Sequence, residues 1–306
     1  MIPDKGYAIV IDLNKCVGCQ ACAVACKVWW TSKEKGLEHA WWIITETRPG
    51  RGYPKDWVEK VKKGVPNARE DYESDFRYRY ENLLSNPSSG IPKIYPEPLP
   101  KYGPNWEWDL GVGETPDDAW YFYLPIQCMH CENAPCVEVC PAKAMYKRED
   151  GIVVYDPDVC IRCQSCFVVC PYRRIFWNYE QNRPSKCIMC VPLVERGEKP
   201  ICVRVCGARA RFFGRLDDPN SPVYVLAKEY KVALPLFPQF KTNPRVLYIP
   251  PVLTPPKSNG EERYDKKYLE ELFGKDVWRV KEILERERKN PNSKLMKILG
   301  GVTYEG

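Results

Sequence analysis

Residues 16–26 read CVGCQACAVAC, four cysteines separated by two, two and three residues: Cys16, Cys19, Cys22 and Cys26. The chain has 306 residues and 16 cysteines, and the other twelve form three further groups of four. These are Cys128, Cys131, Cys136 and Cys140; Cys160, Cys163, Cys166 and Cys170; and Cys187, Cys190, Cys202 and Cys206. None is left over. The groups also repeat. DLNKCVGCQACAVAC (12–26) lies over DPDVCIRCQSCFVVC (156–170), with Asp12 on Asp156, Gln20 on Gln164 and Val24 on Val168. PCVEVCPAKA (135–144) lies over ICVRVCGARA (201–210), with Val137 on Val203 and Ala144 on Ala210. The order along the chain is therefore A, B, A, B, the mark of an internal duplication.

Three chemistries compete for so many thiols. Disulfide frameworks belong mostly to short secreted domains. This chain is long, is 44% hydrophobic, and its N-terminus MIPDKGYAIVIDLNKC lacks the basic-then-apolar layout of a secretory signal. Structural zinc sites usually combine two separated C-x-x-C pairs, and a continuous C-x-x-C-x-x-C-x-x-x-C run does not divide that way. The run does match the bacterial ferredoxin pattern, in which three cysteines hold one [4Fe–4S] cube and the fourth reaches a neighbouring cube. On this reading the fourth cysteine starts a helix and points away from the first three.

Each two-cluster unit needs one A group and one B group, and the repeat alone permits two pairings. Groups two and three are separated only by PAKAMYKREDGIVVYDPDV, a turn, strand and turn, whereas groups one and two lie over 100 residues apart. Cys140-Pro141 and Cys170-Pro171 carry the ferredoxin Cys-Pro ending. Group two is therefore paired with three, and one with four. YAIVID and GIVVYD are apolar enough for buried strands against which the following helices pack.

The formal charge of +6 counts every cysteine as neutral. Thiolates on four metal clusters, at about −2 per site, would take it to about −2, so the basic excess does not point to nucleic acid. Arg162, Arg173, Arg174, Lys186, Arg204 and Arg209 lie close to cysteines in sequence and suit the role of offsetting that charge. The 29 prolines point to stiff, irregular connections. No apolar run reaches 18 residues, so no transmembrane helix is expected.

CMHCENAPCVEVCPAKAMYKREDGIVVYDPDVCIRCQSCFVVCPYR (128–173) resembles the four-cluster iron–sulfur subunits of molybdopterin oxidoreductases, the dimethyl sulfoxide reductase superfamily. GARARFFGRLDDPNSPV (207–223) resembles the segment after the last cysteine there. LEHAWWIITETRPGRGYPKDW (37–57) and FKTNPRVLYIPP (240–251) are similar to the branch of nitrate, selenate and chlorate reductases, dimethylsulfide dehydrogenase and ethylbenzene dehydrogenase. The resemblance covers about residues 5–251.

It implies four [4Fe–4S] clusters: the first on Cys16, Cys19, Cys22 and Cys206; the second on Cys187, Cys190, Cys202 and Cys26; the third on Cys128, Cys131, Cys136 and Cys170; the fourth on Cys160, Cys163, Cys166 and Cys140. It implies a wire whose first cluster faces a molybdopterin catalytic α subunit and whose fourth faces a haem-b or membrane-anchor γ subunit. Respiratory nitrate reductase subunits carry Trp where Cys163 stands and hold a [3Fe–4S] cluster there. Cys163 thus implies a full four-iron cluster, and with the shorter chain it points away from nitrate. The resemblance also implies a peripheral, membrane-associated complex, exported with a signal-bearing partner to the extracytoplasmic face; a cytoplasmic location stays open.

The expected fold is α+β: two pseudo-symmetric ferredoxin-like modules, a long irregular insertion and a C-terminal extension. Module A comprises 1–26 and 172–222, the aromatic and Pro-rich insertion 27–119, module B 120–171, and the extension 223–306. The insertion is either a partner interface or packing over the core. His130 sits among cysteines that already fill the cluster positions and reads as a hydrogen-bonding neighbour; His39 reads as structural. Residues 223–254 read as short strands and extended segments. Residues 261–290 read as an amphipathic helix or helix pair broken near Gly274, with Leu269, Leu272, Phe273, Val277, Val280, Ile283 and Leu284 on its apolar face. That face serves packing or, less in keeping with its composition, a membrane surface. No hydrolytic nucleophile arrangement or phosphate-binding glycine motif appears. The expected function is a non-catalytic electron-transfer subunit between a molybdenum subunit and a cytochrome b or quinone pool; the competing reading is a free soluble polyferredoxin.

Overall fold

The structure, a computed structural model, describes residues 2–49, 120–257 and 259–300. Most of the expected insertion, residues 50–119, lies outside the described residues. In chain order the strands are β1 (Tyr7–Asp12), β2 (Ile44–Arg48), β3 (Phe122–Ile126), β4 (Met145–Lys147), β5 (Val153–Tyr155), β6 (Ile175–Asn178), β7 (Arg183–Lys186), β8 (Arg211–Arg215), β9 (Leu234–Pro235) and β10 (Val246–Ile249). The helices are α1 (Ala21–Trp30), α2 (Pro135–Glu138), α3 (Ser165–Val169), α4 (Val191–Val194), α5 (Ile201–Arg204), α6 (Pro222–Tyr224), α7 (Lys266–Phe273), α8 (Val277–Arg288) and α9 (Lys294–Ile298). This is a mixed α/β chain with small sheets.

Strand β1 is apolar from Ala8 to Ile11, and all four residues are fully buried, as expected of a strand covered on both faces. It lies inside a four-stranded sheet of order β8-β1-β10-β9, antiparallel to β8 and parallel to β10. The remaining strands form three two-stranded ribbons, β2–β3, β4–β5 and β6–β7. The β2–β3 and β6–β7 ribbons lead directly into the cysteines at 128 and 187.

The strand registers carry the sequence repeat. Its offsets are 144 between Asp12 and Asp156, and 66 between Ala144 and Ala210. β1 and β8 pair Ile9 with Phe213 and Ile11 with Arg211. β5 and β4 pair Val153 with Lys147 and Tyr155 with Met145, the same register under those offsets. Even the bond that closes each pair recurs: Asp12 N–H donates to the Ala210 carbonyl and Asp156 N–H to the Ala144 carbonyl, both at 2.8 Å. Gly18 and Gln20 have φ of 65° and 61°, and their counterparts Arg162 and Gln164 have 64° and 63°. At the first position the neighbour decides the residue. A Cβ on Gly18 would lie 2.4 Å from the Tyr123 ring, whereas Arg162 is exposed and holds the same left-handed backbone with a side chain.

Two expectations need correction. Residues 222–229 are helical, α6 running into a π-helical turn at Val225–Glu229, where strand was expected. Ser221 caps the start by accepting from Val223 N–H, and Pro222 occupies the first turn; these local signals outweigh the β-branched content that follows. The helix after each C-x-x-C-x-x-C run also begins earlier than expected, before the third cysteine, because the left-handed Gln20 or Gln164 turns the chain into α1 or α3.

The C-terminal region is a helix pair broken at Gly274, followed by α9. Asp265 and Ser293 cap α7 and α9. Leu269, Leu272, Phe273, Val277, Val280 and Leu284 are buried in the main core and Ile283 packs against it. The apolar face is thus covered by the chain itself and is not free for a membrane surface. No described helix is long and apolar enough to cross a membrane. Leu284 is fully buried, so Leu284→Ala is expected to cost about 2–5 kcal/mol, measured as a fall in Tm at unchanged iron content.

Candidate metal centres

Every cysteine group ends in a C-x-x-x-C pair: Cys22 and Cys26, Cys136 and Cys140, Cys166 and Cys170, Cys202 and Cys206. Residues four apart share a helix face, about 6 Å apart along the axis. Each pair starts on a short helix, α1, α2, α3 or α5. Helix α1 packs against α5, and α2 against α3. The pairs therefore exchange thiols. Cys22 joins Cys16, Cys19 and Cys206 around one pocket, open to solvent and lined also by Thr45, Pro125 and Arg211. Cys166 joins Cys140, Cys160 and Cys163 around another. The Cys26 thiol faces those of Cys187, Cys190 and Cys202. The Cys131 thiol faces those of Cys128, Cys136 and Cys170. All 16 thiols thus fall into four sets of four.

The sets stand in line. Beyond the effect of burial, Cys22 of the first set raises the Cys26 thiol of the second, Cys128 of the third raises Cys187 of the second, and Cys166 of the fourth raises Cys136 of the third. The two end sets reach the surface through exposed Cys19 and Cys163. The four cysteines of the second set are all buried.

Burial dominates the electrostatics. It pushes the Cys16 thiol up to about 11, and those of Cys166 and Cys202 up to about 12. Cys26, Cys131 and Cys187 are also raised, first by burial and then by the neighbouring thiols. Cys163 is lowered instead, by hydrogen bonds from Ser165. Crowded buried thiols become thiolates when a cation core stabilises them. The surroundings already offer donors to sulfur: Met145 N–H to Cys140 at 3.4 Å, Met189 N–H to Cys187 at 3.4 Å, Ala210 N–H to Cys206 at 3.3 Å and Trp30 Nε1–H to Cys190 at 3.2 Å. Arg211 donates to Cys22 Sγ at 3.5 Å and to Gln127 Oε1 at 2.8 Å. Among the described residues no group of three His, Cys, Asp or Glu is arranged to hold a single metal ion. Four soft thiols around an apolar space, with donors aimed at sulfur, fit a polynuclear iron–sulfur core better than zinc.

His130 accepts from Val153 N–H through Nδ1 at 3.1 Å and is fully buried, with its pKa lowered by that burial. His39 bonds the Trp177 carbonyl through Nε2 at 2.7 Å. Both behave as hydrogen-bonding residues, as their positions suggest. The six cations singled out by sequence divide. Arg173, Arg174 and Lys186 are buried. Arg162, Arg204 and Arg209 are exposed, and Arg204 pairs with Glu198 at 2.8 Å, so these three offset little buried charge. Sequence reasoning missed Arg211 and Trp30. Arg211 lies five residues after Cys206, a signal that was available; Trp30 meets Cys190 across 160 residues, which no local pattern reveals.

These sites define an iron–sulfur protein of the [4Fe–4S] class. Residues 119–216 match the family described as 4Fe-4S dicluster domain. The perchlorate reductase subunit beta of Dechloromonas aromatica is 43% identical over 98% of this chain and 94% of its own length. The dimethylsulfide dehydrogenase subunit beta of Rhodovulum sulfidophilum is 40% identical over 94% of this chain and 92% of its own. The respiratory nitrate reductase subunit beta of Haloferax mediterranei is 41% identical over 94% and 88%. The chain belongs to this family of iron–sulfur β subunits of molybdoenzyme oxidoreductases. It is a non-catalytic electron-transfer subunit of a multi-subunit complex with a catalytic α subunit. A nitrate reductase stands as near as the others, so identity ranks no substrate above another.

In the iron-loaded subunit freed of its partners, alkylation is expected at Cys19 and Cys163 before Cys187, Cys190 and Cys202. Peptide mass spectrometry over time gives the order.

Proposed function

We propose that the chain is a linear four-centre electron wire, with each thiol set as the ligand set of one cluster. The observation that carries this is the line of four thiol sets with exposed cysteines only in the two end sets. The ligands are Cys16, Cys19, Cys22 and Cys206; Cys26, Cys187, Cys190 and Cys202; Cys128, Cys131, Cys136 and Cys170; and Cys140, Cys160, Cys163 and Cys166. When bound, [4Fe–4S] clusters supply one-electron chemistry. The chain's own residues set spacing, exclude water and direct N–H groups at sulfur.

The shared strand registers support two ferredoxin-like modules, one from 1–26 with 172–222 and the other from 120–171, followed by the extension 223–306. Between the module-A segments lies the insertion 27–119. Each end of the wire has exposed apolar residues. Val17 lines the pocket of the first set and Ile161 that of the fourth. Val17 and its repeat counterpart Ile161 are each 63% exposed. Exposed apolar residues beside the end sets suit partner contacts. The first end faces the molybdopterin catalytic subunit and the fourth a haem-b or anchor subunit, in a peripheral complex on the extracytoplasmic face. The near-full-length likeness to subunits beta favours this reading over a free polyferredoxin.

Anaerobically isolated complex is expected to contain about 16 iron and 16 sulfide per copy of this chain, after subtracting the partner's cluster, together with molybdenum. Zinc without sulfide would sink the ligand assignment; iron and sulfide in a molybdenum-free monomer would favour the carrier. Cys163→Ala is expected to leave about 15 iron and to convert one four-iron centre into a three-iron centre with its own EPR signal. Unchanged iron and spectra would remove Cys163 from the ligands.

A further inference from the structure

Lys186 is fully buried, and its ammonium donates to the Val153 and Cys187 carbonyls, the latter at 2.8 Å. Among the described residues no carboxylate forms an ion pair with it. A buried cation is costly without an opposite charge nearby. Lys186 adjoins Cys187 of the second thiol set in sequence. Through Val153 it is linked to His130, which lies between Cys128 and Cys131 of the third set, since Val153 N–H donates to His130 Nδ1. Its charge reaches both His130 and the Cys136 thiol. Lys186 thus stands at the joint between the two inner sets, where Cys128 of one neighbours Cys187 of the other.

We propose that Lys186 is a positioning residue that raises the reduction potentials of the two inner centres together. This rests on the ligand sets given above. Adding an electron adds negative charge to a centre. A fixed cation in a poorly screened interior favours that reduced state. Lys186 serves both inner centres because one ammonium lies beside both sets. The loaded sets in turn supply the negative charge that the ammonium lacks. Arg215, by contrast, is on the surface and pairs with Asp217, so its charge is already met and screened.

The test is a redox titration followed by EPR on the intact complex, with iron and sulfide assayed in the same samples. In Lys186→Met, two of the four centres of this chain are expected to shift to lower potential and the other two to move less. The expected shift is at least a tenfold fall in the reduced-to-oxidised ratio at a fixed potential, 59 mV for a one-electron couple. Lys186→Arg is expected to restore wild-type potentials. Four unshifted centres in an iron-replete Lys186→Met complex would overturn the proposal, and so would an equal shift of all four. If Lys186→Met fails to load iron, Lys186→Arg and Lys186→Gln decide. Full iron at wild-type potentials in the Arg variant, with lost iron or lowered inner potentials in the Gln variant, identifies charge as the requirement. Iron loss in the Arg variant as well, or wild-type potentials in an iron-replete Gln variant, rejects it. Failure of the ligand assignment itself is distinguishable, because the wild-type complex would then lack the iron and sulfide.

Discussion

Four C-x-x-x-C pairs hold two thiols one helical turn apart, and the rest of the structure follows from that constraint. A pair so spaced brings two thiols to one helix face, yet the thiols belong to different sets. Cys22 and Cys26 divide between the first and second sets, and Cys202 and Cys206 divide the other way. Cys136 and Cys140 make the same exchange with Cys166 and Cys170. Neighbouring centres are therefore tied through the backbone of a single turn. Separate folding of a single set is ruled out by this connectivity, because each set takes a thiol from a remote segment. The contact of α1 with α5, some 170 residues later in the chain, is what the exchange demands.

The second demand is electrostatic. Burial raises most of the inner thiols, and their mutual repulsion adds to it. Such a constellation favours positive charge, which an iron core provides and which N–H donors and buried cations extend. The donors are contributed by residues of different kinds: backbone amides at Met145, Met189 and Ala210, an indole at Trp30 and a guanidinium at Arg211. The basic excess in composition is partly internal for this reason. Arg173, Arg174, Lys186 and Arg211 are buried, while Arg162, Arg204 and Arg209 face outward.

Relatives with different substrates resemble this chain almost equally, as expected when substrate chemistry lies in another subunit. What the family shares is the framework that carries electrons. In this chain the C-terminal helices brace the same core. Their apolar residues enter the main core, and Lys15 Nζ fastens to the Leu299 carbonyl at 2.8 Å, joining the loop before the first cysteine to the last described helix.

Cysteine spacing by itself determined the iron–sulfur chemistry, since few sites other than cubane clusters use a continuous run of this kind. The repeat also made the A and B groups legible, and the apolar runs at Tyr7–Asp12 and Val153–Tyr155 marked the strands beside them. Local signals were harder to weigh: Ser221 and Pro222 turned an apparent strand into helix, and Gln20 and Gln164 started helices earlier than the spacing suggested. Tertiary structure alone decided which cations are buried, that Trp30 meets Cys190, and that Lys186 stands between two thiol sets. The physical reason is distance along the chain. Spacing rules describe neighbours within a turn or a strand, whereas the field around each centre is set by side chains that only folding brings together.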